Sequence, residues 1–381
     1  MLPNQRHLFT LPDDVTYLNC AYTAPLLKSA AAAGERALRQ KANPWELTAA
    51  HFFQTLAANR RLFGRLVQAP PEQVALIPAV SYGVALAARN LPVAAGQTIV
   101  MLAEQFPSHV YAWQRLARTR QAAVVTVDRP VDGDWTPAVL AAIDAHTAIA
   151  ALPHCHWTDG TVLDLAAIGA RCREVGAALV VDGTQSLGAM PFAVPEVQPD
   201  FLIATSHKWL LGPYSYGFCY VAPRWSQGAP LEENWLNREG SEDFARLVDY
   251  RDGYQPGAAR FDVGEASNFI LAPVAEAALT QILEWGVAEI AASLRTRTDQ
   301  IAARARAVGF ATAAARNRAP HLLGLQVPGD LPRDLPARLA AERVFVSVRG
   351  RAIRVAPHLY NTEEDVARLF AALAKHLDGF A

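Results

Sequence analysis

A lysine, an aspartate and a phenylalanine each stand at or just beyond the end of a short apolar run. "DFLIATSHK" leads to Lys208, "AALVVDGTQS" ends in Asp182 followed by Gly183, Thr184 and Gln185, and "TIVMLAEQFPSH" brings Phe106 close behind "TIVML". An amine at the end of a buried segment is costly unless it is paired or neutral. Lys208 is therefore either an ordinary solvated loop residue or a group whose chemistry needs the uncharged amine. If the runs are parallel strands, their carboxyl ends share one edge, and amine, carboxylate and aromatic face converge on one cleft. That trio suits a pyridine aldehyde cofactor. The amine forms a Schiff base with the aldehyde, and the carboxylate partners the ring nitrogen so that the ring can take up electrons. Thr205, Ser206 and His207 can donate to the cofactor phosphate, and the backbone N–H groups near Val80 and Ser81 in "PAVSYG", opening a helix at about Tyr82, make a second anion cradle.

The elements that must position these residues alternate along the chain. Apolar runs at 98–102, 122–128, 148–153, 177–182 and 200–206 read as strands, and helical patterns cover 108–118 and 163–175. Such alternation implies an α/β fold with a mainly parallel sheet covered on both faces. Beyond about residue 255 the texture changes to helices over 269–285 and 288–308. Strands follow in "HLLGLQVP", "ERVFVSV" and "AIRVAP", then a last helix in "TEEDVARLFAALAKHL" with Thr362 or Asn361 as its cap. The expected organisation is a large domain over 16–255 and a smaller α+β domain formed by 1–15 and 256–381, joined through the turn-rich stretch 251–267.

With 381 residues, 51% of them hydrophobic and 19% charged, the chain has material for both cores. A formal net charge of -1 gives no electrostatic reason to expect nucleic acid or an acidic membrane as partner. Cys20, Cys155, Cys172 and Cys219 form no CxxC pair, which argues against zinc and against a disulfide framework. His154 and His156 flank Cys155, but strand alternation sends Cys155 to the face opposite the two histidines, so no metal is expected. The first residues contain no secretory apolar stretch and no run reaches ~18 apolar residues, so a soluble cytoplasmic protein is the default.

The motifs "VVDGTQSLGA" and "TSHKWLLGP", with "YLNCAYTAPL" near one end and "IRVAPHLYNTEEDV" near the other, carry a family likeness. The chain resembles the class V aminotransferase family of fold type I pyridoxal phosphate (PLP) enzymes, which includes cysteine desulfurases, kynureninases and isopenicillin N epimerase-like proteins. By position, the resemblance implies that Lys208 holds PLP and Asp182 pairs with its ring nitrogen, while Gln185 bonds the ring hydroxyl oxygen and Phe106 stacks on the ring. It gives the phosphate to Thr205, His207 and the Val80 and Ser81 backbone, and the substrate α-carboxylate to Arg354. His109, Tyr22, Asn19, Thr23, Trp157 and His358 are candidates for the pocket wall. Arg349 and Arg351 lie near Arg354, and one of the two is expected to point elsewhere.

The resemblance also implies a homodimer with its active site at the subunit boundary. "VGEAS" puts Glu265 where many relatives offer a threonine to the neighbouring subunit's phosphate, leaving Ser267 or a backbone amide for that part. Other departures are chemical. "RVFVSVRGRAIRVAP" has neither the cysteine nor the room for the loop that desulfurases carry there. His109 stands where kynureninases have an aspartate, and Trp157 where desulfurases have an asparagine. Transamination of a small amino acid is the first expectation, with a lyase (carbon–sulfur, selenocysteine or kynureninase-like) or an epimerase second.

Overall fold

The computed structural model describes residues 1–327 and 329–377; Pro328, which closes the expected strand "HLLGLQVP", lies outside the described residues. Strand β1 (Thr16–Tyr17) precedes helices α1 (Lys28–Ala42) and α2 (His51–Val67). Alternation then begins with β2 (Val74–Ile77), α3 (Val80–Asn90), β3 (Thr98–Leu102), α4 (Tyr111–Arg120), β4 (Ala123–Val127), α5 (Trp135–Ala142) and β5 (Thr147–Pro153). It continues with α6 (Leu165–Val175), β6 (Ala178–Asp182), α7 (Val194–Val197), β7 (Phe201–Thr205) and β8 (Gly217–Val221). The remainder comprises α8 (Leu271–Trp285), α9 (Val287–Ala307), β9 (Leu323–Gln326), α10 (Leu335–Ala341), β10 (Val344–Phe345), β11 (Ser347–Arg349), β12 (Ala352–Val355) and α11 (Glu363–His376).

Among the described residues the main sheet has seven strands in the order β2-β8-β7-β6-β5-β3-β4. Neighbours are parallel from β4 to β7, and only β8 runs against both of its partners. Every residue of β5, β6 and β7 is buried, as strands with two covered faces require. Alternate residues feed two cores. Val100, Leu152, Val181 and Leu202 enter one hydrophobic cluster, while Ile99, Ala151, Val180 and Ile203 enter the other. Since β3 lies between β4 and β5, the strand order reverses there, and a crevice opens beyond the carboxyl ends of β3, β5 and β6.

Two local readings differ from the structure. The helix expected over 108–118 is a 3-10 turn, Pro107–His109, followed by α4, because Val110 leaves helical geometry with φ −122° and ψ −53°. "ERVFVSV" is not one strand. β10 pairs with β1 and β11 with β12, while Val346 between them is buried in a third cluster with Leu18, Ile353, Val355 and Leu369. That cluster lies behind the small antiparallel sheet β11-β12-β9, which presents Arg354 at its centre. No helix among the described residues is long and apolar enough to cross a membrane.

Helix α11 starts at a capping box. The Asp365 N–H donates to Thr362 Oγ1 at 3.2 Å, and the Thr362 N–H donates to Asp365 Oδ2 at 2.9 Å. The Asp365 carboxylate also takes bonds from Thr16 Oγ1 (3.0 Å), Asn361 Nδ2 (3.2 Å) and Arg6 Nη1 (3.4 Å), tying both ends of the chain together. Thr362→Ala is expected to lower unfolding free energy by about 1 kcal/mol. Asp365→Ala strips four partners at once and is expected to lower it by ~3 kcal/mol. Denaturant titration of the two variants checks the order; equal losses contradict the tie.

Candidate active site

The end of β7 is converted into a lysine mount by a serine. Ser206 is 1% exposed, and its N–H donates to Tyr216 O at 2.9 Å, continuing the pairing of β7 with β8. Its hydroxyl lies 2.6 Å from Pro213 O and 2.8 Å from Tyr216 O, and its carbonyl accepts from Gly212 N at 2.8 Å. A Cβ on Gly212 would meet Ser206 Cβ at 2.8 Å, so the return of the loop is closed by close contact. Leu211, with φ +53°, donates its N–H to Lys208 O at 3.0 Å. Ser206, expected among the phosphate donors, thus has the single hydrogen of its hydroxyl engaged by carbonyls of the loop.

Lys208 leaves this mount into a cavity of about 270 Å³ that it shares with Asp182, Thr184, Gln185, Phe106, Thr205, His207, Val80 and Ser81. Burial presses its amine down to about 8; Arg354 and Arg349 push in the same direction and Asp182 opposes them. Its Nζ lies 5.4 Å from the centroid of the Phe106 ring, which is 38% exposed and meets Trp157 edge-to-face. Asp182 closes β6, and its Oδ1 accepts from Thr184 N at 2.9 Å. Gln185 accepts from Trp209 Nε1 at 2.8 Å and donates to Ala21 O at 3.0 Å, so one amide hydrogen is left for the cavity.

The phosphate end is equally defined. Tyr82 and Gly83 donate their N–H groups to Ala79 O, while those of Val80 and Ser81 at the start of α3 have no acceptor among the described residues. Thr205 Oγ1 and His207 Nδ1 are 2.7 Å apart. Burial first, then the Lys208 charge, pushes His207 down to about 4, so the ring is neutral at pH 7. Whichever way the Thr205–His207 bond runs, one outgoing donor remains: the His207 Nε2–H or the Thr205 hydroxyl.

A second chamber of about 400 Å³ adjoins the first, sharing Phe106, Trp157, His207, Lys208 and Tyr214 and adding Tyr22, Thr23, Arg349 and Arg354. Arg354 is 1% exposed; its Nη1 donates to Trp157 O at 2.9 Å, and its buried Nε has no partner. Trp157 is held in turn by a bond from its Nε1 to Glu104 O at 2.7 Å. Arg349 also enters the chamber, whereas Arg351 lies in the exposed turn with Nη2 3.4 Å from Gly329 O.

Other candidates divide cleanly. Tyr22, Thr23 and Trp157 line the second chamber. Asn19 accepts from Ser347 Oγ at 2.8 Å, and His358 is packed among Phe9, Trp209, Trp285 and Tyr360, so neither is wall. His109 is buried behind the cavity with Nδ1 against Gln105 Nε2, and burial lowers its pKa. His154 meets Phe192 while His156 stacks on Trp135, and neither Glu265 nor Ser267 borders either chamber. Local sequence missed Cys155, Tyr214 and Ser215, which reach the cavity only through strand ends and the loop closure. A Gly-Pro pair before Tyr214 was the available signal, and it marks a turn without naming what the turn presents.

The sequence profile described as Aminotransferase class-V matches residues 16–369. The chain belongs to the class V aminotransferase family. Among curated relatives, it is 28% identical to the uncharacterized aminotransferase YcbU of Bacillus subtilis (strain 168), across 83% of this chain and 82% of the relative. It is 27% identical to an isopenicillin N epimerase of Streptomyces clavuligerus, across 95% of each. Solved structures with the same fold include the cystine C-S lyase C-DES in complex with its reaction product cysteine persulfide (TM-score 0.86, 22% identity, 96% of this chain and 98% of that one). Another is the apo cysteine desulfurase from Thermococcus onnurineus NA1 (TM-score 0.84, 19% identity, 100% and 99%). The fold is fold type I, and the family's cofactor is PLP. The cavity suits that group through its orphaned polarity: two free N–H groups at the α3 start, the buried Thr184 Oγ1 without a partner, and a carboxylate facing an amine across an open aromatic face.

If Lys208 is the tether, borohydride treatment of the PLP-loaded protein followed by peptide mass analysis will find the pyridoxyl group on Lys208 and on no other lysine. Capture of PLP by the free protein should accelerate as pH rises through about 8, where the amine loses its proton. Asp182 raises that pKa and Arg354 lowers it, so the stopped-flow pH profile should move to lower pH in Asp182→Asn and to higher pH in Arg354→Met. Profiles that do not move contradict this electrostatic coupling.

Proposed function

We propose that this PLP-dependent enzyme is an aminotransferase whose amino-acid substrate docks its α-carboxylate on Arg354. The observation that carries the reading is that Arg354, buried and without a carboxylate partner among the described residues, opens into the chamber that shares Lys208 and Phe106 with the cofactor side. When bound, PLP supplies a sink for the electron pair left on the substrate α-carbon. Arg354 fixes the carboxylate, and Trp157 O holds the guanidinium in place. Phe106 would stack its face on the cofactor ring. Asp182 offers its carboxylate to the ring nitrogen. When not tethering the cofactor, Lys208 Nζ would take the α-proton, a role suited to an amine lowered to about 8. Lys208 Nζ would then hand that proton to the cofactor's side rather than back to the α-carbon, and hydrolysis by one water molecule would free the keto acid while the amino group stays with the cofactor.

Transfer of sulfur to a protein thiol finds little support. Residues 350 and 351 alone join β11 to β12, with Gly350 at φ +56°, so no cysteine-bearing loop precedes Arg354. Cys155 and Cys20 lie near the site, but burial raises both thiols far above their ordinary value and keeps them protonated. Epimerisation is the second reading, favoured by the similarity to an isopenicillin N epimerase across 95% of both chains.

The test is a single-turnover assay of PLP-loaded protein with individual L-amino acids and no acceptor. Stoichiometric keto acid with loss of the aldehyde spectrum supports transamination. Solvent deuterium at the α-carbon with inverted configuration and no keto acid selects epimerisation, and repeated turnover to a released side-chain fragment selects a lyase. Arg354→Gln should raise KM about a hundredfold for whichever amino acid reacts, since a charge-assisted pair is lost. An unchanged KM removes Arg354 from the substrate site.

A further inference from the structure

The β11–β12 hairpin pairs Ser347 with Arg354 and Arg349 with Ala352. Arg349 is two residues from Ser347, so its side chain leaves the same face of the sheet as Arg354, on the diagonal and roughly 7–8 Å away between Cβ atoms. The half-buried Arg349 guanidinium sits 5.7 Å above the Trp157 ring, and its Nη1 donates to Val348 O at 2.8 Å. Among the described residues neither arginine has a carboxylate within ion-pair distance; their bonds go to backbone carbonyls. The chamber therefore holds two guanidinium groups and the Lys208 amine, and the carboxylate Asp182 stands on the far side of it, in the first cavity. Burial lowers the Arg349 pKa, and the Arg349 charge in turn lowers that of Arg354. One α-carboxylate neutralises only one of the pair, and a second cation kept in a partly dry chamber is costly without an anion.

We propose that Arg349 is a second anion-binding residue and that the amino-acid substrate is an α-amino dicarboxylate, with its α-carboxylate on Arg354 and its side-chain carboxylate on Arg349. This rests on the reading of the chamber as the substrate site of an amino-acid enzyme. Trp157 serves both ends, its carbonyl orienting Arg354 and its ring supporting Arg349.

The test uses the PLP-loaded full chain and two unreactive probes, glutarate and butyrate, titrated by calorimetry, alongside spectral titration with L-glutamate, L-glutamine and L-alanine. Glutarate should bind at least about tenfold more tightly than butyrate, and L-glutamate should convert the cofactor spectrum at about tenfold lower concentration than L-glutamine. In Arg349→Gln both ratios should fall to about one while L-alanine still converts the spectrum. Arg349→Lys should restore part of the preference, which separates lost charge from a disturbed fold. Equal binding of the two probes by the unaltered enzyme, or a ratio that survives Arg349→Gln, overturns the proposal. A spectrum that no amino acid alters, in protein whose Lys208 is shown by borohydride to carry PLP, overturns the amino-acid reading and this inference with it.

Discussion

The site is governed by the cost of keeping the Lys208 amine partly dry beside two guanidinium groups. Burial and like charge both favour its neutral form, and Asp182 pulls the other way most strongly. A chain that wanted merely a stable fold would place that amine in water. This one spends several backbone bonds on preventing it: the Ser206 contacts to Pro213 and Tyr216, the Gly212 return and the left-handed Leu211 hold the loop so that Lys208 cannot swing out with it. The strain lies in the loop, and its benefit is an amine with nucleophilic and basic character near neutral pH.

The sheet supplies what the loop needs. Parallel strands end along one edge, and the reversal of order between β3 and β5 leaves that edge open, so residues far apart in sequence face a common space. Phe106 arrives from the end of β3, Cys155 and Trp157 from β5, Asp182 from β6 and Lys208 from β7. The helix start at Val80 comes from the other margin of the sheet, brought into line because β8 reverses direction and returns β2 to the sense of the parallel strands. The small sheet then closes the space from the opposite side with Arg354 and Arg349.

Charge makes the two chambers unlike. The cofactor side combines the Asp182 carboxylate with neutral donors, since His207 is held neutral and the α3 cradle is backbone. The second chamber is cationic. Family members that share the fold differ in chemistry, so the division of labour must be sought in such local differences rather than in the architecture. Here the short β11–β12 turn is one such local feature. It removes any room for a loop and fixes two arginines on one face.

The sequence by itself determined the strand ends and the residues at them. Lys208, Asp182, Gln185, Phe106, Thr205 and His207 were legible because each follows a buried apolar run within a few positions, and because parallel strands leave only one edge for such residues to occupy. The α11 cap at Thr362 was legible for the same local reason. Tertiary structure alone decided the rest. Alternation alone cannot separate Arg349 from Arg351, which are two residues apart; Arg349 enters the chamber because it is the last residue of β11, while Arg351 falls in the two-residue turn that sets the cross-strand register. Ser206 and His358 look polar and available in the sequence, yet loop closure consumes the one and aromatic packing encloses the other, because hydrogen-bond partners distant in the chain exist only once the sheet is assembled.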